Sequence, residues 1–131
     1  MTDKLKKQDK ELIEKARVLV KEKKVSGGII KEVGCALITR EGKVFTGVSL
    51  DLWCGIGFCA EHSAIANMIS HSNETQIKTI VASCDNKLLY PCGRCREIME
   101  LIDKRNRNNT YIIIPGNKKI KLKNLLPGEW M

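Results

Sequence analysis

Two stretches of this 131-residue chain, "IKTIVASC" at 77–84 and "TYIIIP" at 110–115, are apolar almost without interruption and are bounded by turn-forming residues. A strand with one wet face alternates apolar and polar side chains, so runs of strand length that do not alternate predict strands covered on both sides. Between them Cys95, Ile98, Met99 and Ile102 recur at helical spacing, and "NRNN" at 106–109 ends that helix. Strand, helix and strand in succession need a crossover lying over the sheet. The order predicts an α/β fold whose central strands run parallel and whose faces are covered by helices.

The rest of the chain extends this pattern. Leu12, Ala16, Leu19 and Val20 space an amphipathic helix within 4–24, and "SGG" at 26–28 stops it. "VGCALITREGKVFTGVSL" at 33–50 reads as a hairpin turning around Arg40 to Lys43, which makes the sheet mixed. "DLWCGIGF" at 51–58 reads as a loop. The alanines with Ile65, Met68 and Ile69 predict a well-buried helix from Cys59 to about His71. "KIKL" at 119–122 predicts a short edge strand, and "NLLPGEWM" at 124–131 a tail with a single helical turn. We expect one domain over 1–131, with five strands in a mixed sheet flanked by helices.

Composition narrows the function classes. No apolar run approaches the roughly 20 residues that span a bilayer, and the charged N-terminus lacks the apolar segment of a secretion signal. The expected location is the cytoplasm, without membrane attachment. Thiols there stay reduced, so six cysteines point to metal binding or catalysis rather than to disulfides. Cys35 and Cys84, inside apolar runs, are expected to be buried small hydrophobes. The net charge of +8 could serve nucleic acid, yet aromatic residues make up only 5% of the chain, too few for a base-stacking platform. Nine of the 23 basic residues lie among the first 24 positions, as expected of a solvated helix face.

"PCGRC" at 91–95 admits three readings. A redox dithiol at a helix N-terminus needs no further partner. A structural zinc clip needs four protein ligands, and no second CxxC or HxxxH pair exists. A catalytic zinc site needs three ligands and an open position, which Cys59, Cys92 and Cys95 supply. Glu61, two residues after Cys59, diverges from it on a helix and suits a general base better than a ligand. Alone, Glu61 is an ordinary first-turn acid. The joint pattern, CxE and then PCxxC with each opening a helix, is specific enough to favour the catalytic reading.

"FTGVS", "CAEHSAI" and "PCGRCRE" together resemble the free-nucleoside branch of the zinc-dependent cytidine deaminases, which includes blasticidin S deaminases. The resemblance runs from about Val33 to Trp130. It implies a three-layer cytidine deaminase-like fold and hydrolysis of a cytosine nucleoside, cytidine or deoxycytidine, to uridine or deoxyuridine and ammonia. Zn2+ would sit on Cys59, Cys92 and Cys95, with Glu61 as the proton shuttle. It also implies a homotetramer or dimer, with Trp130 near a neighbouring subunit's pocket. The implied partner is a small-molecule nucleoside, not nucleic acid.

Three thiolates exceed the metal's two charges, so compensation is expected from the two helix N-termini, from Arg94 and, more weakly, from Arg96. His62 stands where the family often has arginine, and reads either as a hydrogen-bond partner of a thiolate or as an ordinary half-buried histidine. For substrate, Ser49 and Asp51 occupy the positions nearest the family's ribose-binding NxE. Both also read as plain polar residues at a strand end. The backbone of Ala60 would meet the base, with Phe58 and Trp53 as candidate pocket walls or as ordinary core. Lys31 stands where the family favours phenylalanine. CGRC and the departures at Lys31 and Ser49 favour the rival assignment, deamination of blasticidin S or another modified cytosine nucleoside. A non-catalytic zinc or redox protein is a more distant alternative.

Overall fold

The computed structural model describes residues 1–129. Its elements in chain order are β1 (Thr2–Lys4), α1 (Lys7–Arg17), β2 (Lys23–Val25), β3 (Gly28–Thr39), β4 (Val44–Leu52), a 3-10 turn (Trp53–Gly55) and α2 (Ala60–His71). They continue with β5 (Ile77–Cys84), β6 (Lys87–Leu89), α3 (Gly93–Ile102), α4 (Asn106–Asn109), β7 (Tyr111–Ile114), β8 (Lys118–Lys121) and a final 3-10 turn (Leu122–Asn124).

All strands join one sheet. The expected five are present as β3, β4, β5, β7 and β8, and three more, β1, β2 and β6, have three residues each. Segments this short carry no period to read, and β1 and β2 are fully exposed and lysine-bearing. The expected parallel centre is present as one pair, β5 with β7, in the middle of the sheet. β3 pairs antiparallel with both β4 and β5, and among the described strands β5 with β7 is the parallel pair. The crossover through α3 joins the two middle strands, and the hairpin β3–β4 lies to one side of them. Contrary to expectation, β8 is not the edge, because β1 pairs with it.

Alternation along the inner strands divides the core into two layers. Cys35 and Leu37 of β3, Ile80 of β5, and Ile112 and Ile114 of β7 pack with Ala64, Ile65 and Met68 of α2 and Met99 of α3. Their neighbours Ala36, Ile38, Val81 and Ile113 pack on the other face against Leu12, Ile13 and Ala16 of α1. This is the helix–sheet–helix arrangement that the unbroken apolar runs require. Burying each of these larger side chains contributes about 1.5–3 kcal/mol.

Two further features fix how the helices meet the sheet. A Cβ on Gly47 would run into the Ala64 amide nitrogen, so this glycine lets α2 approach β4 closely. Asp9 of α1 is buried, accepts from the Lys6 backbone N–H at 2.8 Å and pairs with Lys119 Nζ at 2.8 Å, tying α1 to β8. Between the pairs Ile30–Leu50 and Gly34–Val48, three residues of β3 stand opposite Ser49 alone. The bulge begins at Lys31, whose φ of 63° lies in the left-handed region.

Candidate active site and metal centre

The chemistry gathers where two helices begin. Cys59 is the N-cap residue of α2 and Cys92 that of α3, and neither side chain caps its own helix. Both Sγ atoms are therefore free to face each other, at 3.6 Å. Cys95, one turn into α3 and fully buried, brings its Sγ to 3.5 Å from that of Cys92. The three sulfurs lie within 4.8 Å of one another. Sulfurs at the corners of a tetrahedron about 2.3 Å from zinc are separated by roughly 3.8 Å, close to what is found. A disulfide would need about 2.05 Å, and all three thiols are free. The donor set suits Zn2+, with three protein ligands and Cys92 facing solvent on the open side.

The thiols differ in how readily they ionise. Burial alone would raise Cys92, but the backbone N–H groups of Cys95 and Arg94 and the two neighbouring thiols outweigh it and hold it below the ordinary cysteine value. Burial raises Cys59, with the Cys92 thiol adding to the effect. Burial, then the Glu61 charge, pushes Cys95 far higher. Exposed backbone donors at the start of α3 thus favour the thiolate that a metal needs.

Glu61, in the first turn of α2, is 5% exposed. Burial lifts its carboxyl above the ordinary glutamate range, partly offset by its own backbone N–H. It lines a cavity of about 440 Å³ together with Cys59, Ala60 and Cys92. A buried carboxylate at the floor of a cavity beside three thiolates is placed to accept and return protons.

Among the residues expected to offset the thiolate charge, the contacts are uneven. His62 Nδ1 lies 3.3 Å from Cys95 Sγ. Burial, then the nearby Arg94 charge, lowers the imidazole pKa. Arg94 is exposed and lines the cavity, and only its backbone N–H is seen to support Cys92. Arg96 is spent elsewhere: Nε donates to the Pro91 carbonyl at 2.8 Å and Nη1 to the Leu125 carbonyl at 3.0 Å. It joins the metal loop to the C-terminal segment rather than meeting a thiolate.

The upper wall also differs from what the sequence suggests. Ser49 and Asp51 line the cavity, as do Ala60 and Phe58. Ser49 Oγ accepts the Val33 N–H at 3.0 Å, filling the gap that the bulge opens in the β3–β4 ladder. Trp53 does not line this cavity. The turn at Cys54 and Gly55, both at positive φ, leaves it 70% exposed with its ring over Gly27. Cys84, expected in the core, is half-buried at the end of β5 and lines the cavity. Glu32, Leu89 and Tyr90 were not foreseen there; Tyr90 could have been, since it directly precedes PCGRC. Trp130 lies outside the described residues.

Known proteins resemble this chain in sequence and in fold. The family described as "Cytidine and deoxycytidylate deaminase zinc-binding region" matches residues 6–108. A "Probable cytidine deaminase" of Dictyostelium discoideum is 37% identical over 68 residues, 50% of this chain and 46% of its own length. The aligned part thus spans about half of that relative. Cytidine deaminase from Mycobacterium leprae superposes with a TM-score of 0.65 at 26% identity, over 73% of this chain and 78% of that one. The enzyme from Mycobacterium tuberculosis gives a TM-score of 0.78 at 22% identity, over 93% of this chain and 96% of that one, a likeness of fold.

Proposed function

We propose that this chain, which belongs to the cytidine and deoxycytidylate deaminase zinc-binding family, hydrolyses the exocyclic amine of a cytosine nucleoside. Cytidine or deoxycytidine plus water gives uridine or deoxyuridine plus ammonia. The single observation that carries this reading is Glu61, buried at the cavity floor between helix starts that bear three free thiols within 4.8 Å.

Zinc, when bound to Cys59, Cys92 and Cys95, supplies a Lewis acid that lowers the pKa of water from 15.7 toward about 7. The residues around it manage protons and orientation. Glu61 takes one proton of the attacking water and gives it to ring nitrogen 3, then takes the second from the hydroxyl added at carbon 4 and hands it to the departing amine, which leaves as ammonia. Its burial excludes bulk water, which would compete for those protons. The Ala60 backbone, in the first turn of α2, offers an amide donor to the base. Ser49 keeps its hydroxyl proton for a sugar oxygen while accepting from Val33. Asp51 can accept from a sugar hydroxyl directly or through water. His62 supports Cys95, and the two helix N-termini contribute roughly half a positive charge each to the thiolate cluster.

Exposed apolar residues, Trp53 at 70% and Ile56 at 73% in the loop that leads to the cavity and Ile69 at 47% on α2, support assembly into a homotetramer or a dimer. No described helix is long and apolar enough to cross a membrane. We assign the activity to free nucleosides in the cytoplasm.

The CGRC segment and the departures from the family pattern at Ser49, on the cavity wall, and at Lys31, exposed in the bulge and outside the lining, favour a second reading, deamination of blasticidin S or another modified cytosine nucleoside. Zinc-loaded protein assayed on cytidine, deoxycytidine and blasticidin S separates the two. Glu61→Gln is expected to keep about one zinc per chain and to lose about 10²–10⁴-fold in kcat. An unchanged rate removes Glu61 from the mechanism. A metal-free protein with a reversible Cys92–Cys95 disulfide would instead make this a redox protein.

A further inference from the structure

The charge inside the cavity is opposite to that of the chain. The protein carries +8 overall, yet the charged residues lining the cavity are Glu32, Asp51, Glu61 and Arg94, three acids against one base. Glu61 is committed to the reacting end. Glu32 and Asp51 remain, one on each strand of the β3–β4 pair.

Glu32 owes its position to the bulge. Residues 31–33 stand opposite Ser49 alone, so a regular ladder, which would have paired Glu32 across to β4, is interrupted there. The turn is set by Lys31 at φ 63°, and the register is pinned by the Val33 N–H on Ser49 Oγ. Glu32 is left half-buried on the cavity wall. Among the described residues neither the Glu32 nor the Asp51 carboxylate has a hydrogen bond or ion pair with another group of the protein. A half-buried carboxylate such as that of Glu32 is normally paired or hydrogen-bonded, and facing a ligand cavity without a protein partner it leaves that role to the ligand, while Asp51 stands exposed on the same cavity wall.

From this arrangement we infer that Glu32 is a specificity-determining residue that, with Asp51, selects the substrate by charge on its sugar side. The inference rests on the deaminase reading proposed above. The pocket favours a cytosine nucleoside whose sugar bears an ammonium group, accepts the neutral nucleoside, and rejects the 5′-phosphate. Two carboxylates within several ångströms of a phosphate repel it through a cavity less polar than water, whereas an ammonium gains charge-assisted hydrogen bonds. Arg94, exposed at the rim, is a single counterweight.

Three substrates with the same base test this: 5′-amino-5′-deoxycytidine, cytidine and cytidine 5′-monophosphate. With zinc-loaded wild type, kcat/KM should fall in that order, with at least about tenfold between the first and the last. Glu32→Gln should compress the span, and Glu32→Lys should reverse the order of the amine and the phosphate. Raising salt should narrow the wild-type span, since the rim is partly exposed. The uracil counterparts of the three compounds, titrated by calorimetry, should rank identically without any turnover. Equal preference in wild type and Glu32→Lys overturns the role of Glu32 while leaving the deaminase reading intact. No turnover of any cytosine compound by zinc-loaded protein overturns the deaminase reading; the titrations then decide Glu32 alone, the predicted ranking supporting it and an absent ranking or absent binding refuting it.

Discussion

The floor and the rim of the cavity are built by different means. The floor comes from two helix starts: Cys59 and Cys92 occupy the N-cap positions, Glu61 and Cys95 the first turns. Spacing along the chain translates almost directly into spacing in space, because a helical turn is a fixed ruler. The rim comes from a bulged strand pair and an irregular loop, in which the facing of Glu32, Ser49 and Trp53 depends on register and on left-handed residues. The reaction is therefore encoded locally and the choice of substrate non-locally. Related chains can keep one while varying the other.

Four experiments can break that division. The largest effect should come from Cys92→Ala, which leaves two thiolates: zinc should be lost and deamination abolished, as read by metal analysis beside an assay. Retention of stoichiometric zinc would mean that the floor is not built on these three sulfurs. Next comes pH. Burial holds the Glu61 carboxyl above the ordinary glutamate range, and its basic form disappears as pH falls through that raised value. On that acidic limb kcat/KM should drop about tenfold per pH unit, and Glu61→Gln should lose the limb.

Arg96 joins floor to tail, and so tests whether the floor is self-sufficient. Its guanidinium holds the carbonyls of Pro91, next to a ligand, and of Leu125. Lysine cannot span both, so Arg96→Lys should release zinc to a chelator about 10-fold faster, within the 10–100-fold range typical of residues that support ligands. An unchanged release rate confines Arg96 to anchoring the tail. Finally, Ser49→Ala should cost about 1–3 kcal/mol of stability by orphaning the Val33 N–H in the bulge, and should leave zinc occupancy intact. Loss of zinc in that variant would erase the distinction between rim and floor.

Legibility in the sequence follows the same line. The two-sided core was readable because Cys35, Leu37, Ile80 and Ile112 on one face, and Ala36, Ile38, Val81 and Ile113 on the other, follow one another along their strands with no polar residue between them. The CxE and PCxxC segments were readable as helix starts. The placement of β3 between β4 and β5 was not, since apolar runs do not reveal which strand lies between which. Cys84 read as core because its run is apolar to the end, although the strand's last residue emerges at the cavity. Arg94 and Arg96 were chosen by charge and nearness in sequence. A contact with a thiolate falls instead to His62, one residue past Glu61, while Arg96 reaches a segment 29 residues away. Glu32 carried no signal, because its exposure to the cavity arises from a register shift between strands.

The short strand β1 bears on a different property. It covers the backbone groups of β8, and Tyr111 Oη donates to Asp3 at 2.6 Å to hold it there. Its three residues are exposed, and Lys4 stands opposite Lys118. A brief, lysine-bearing outermost strand is a poor template for strands of other molecules. Part of the chain's positive charge therefore serves colloidal behaviour: at this margin of the sheet it discourages strand addition between molecules in concentrated protein.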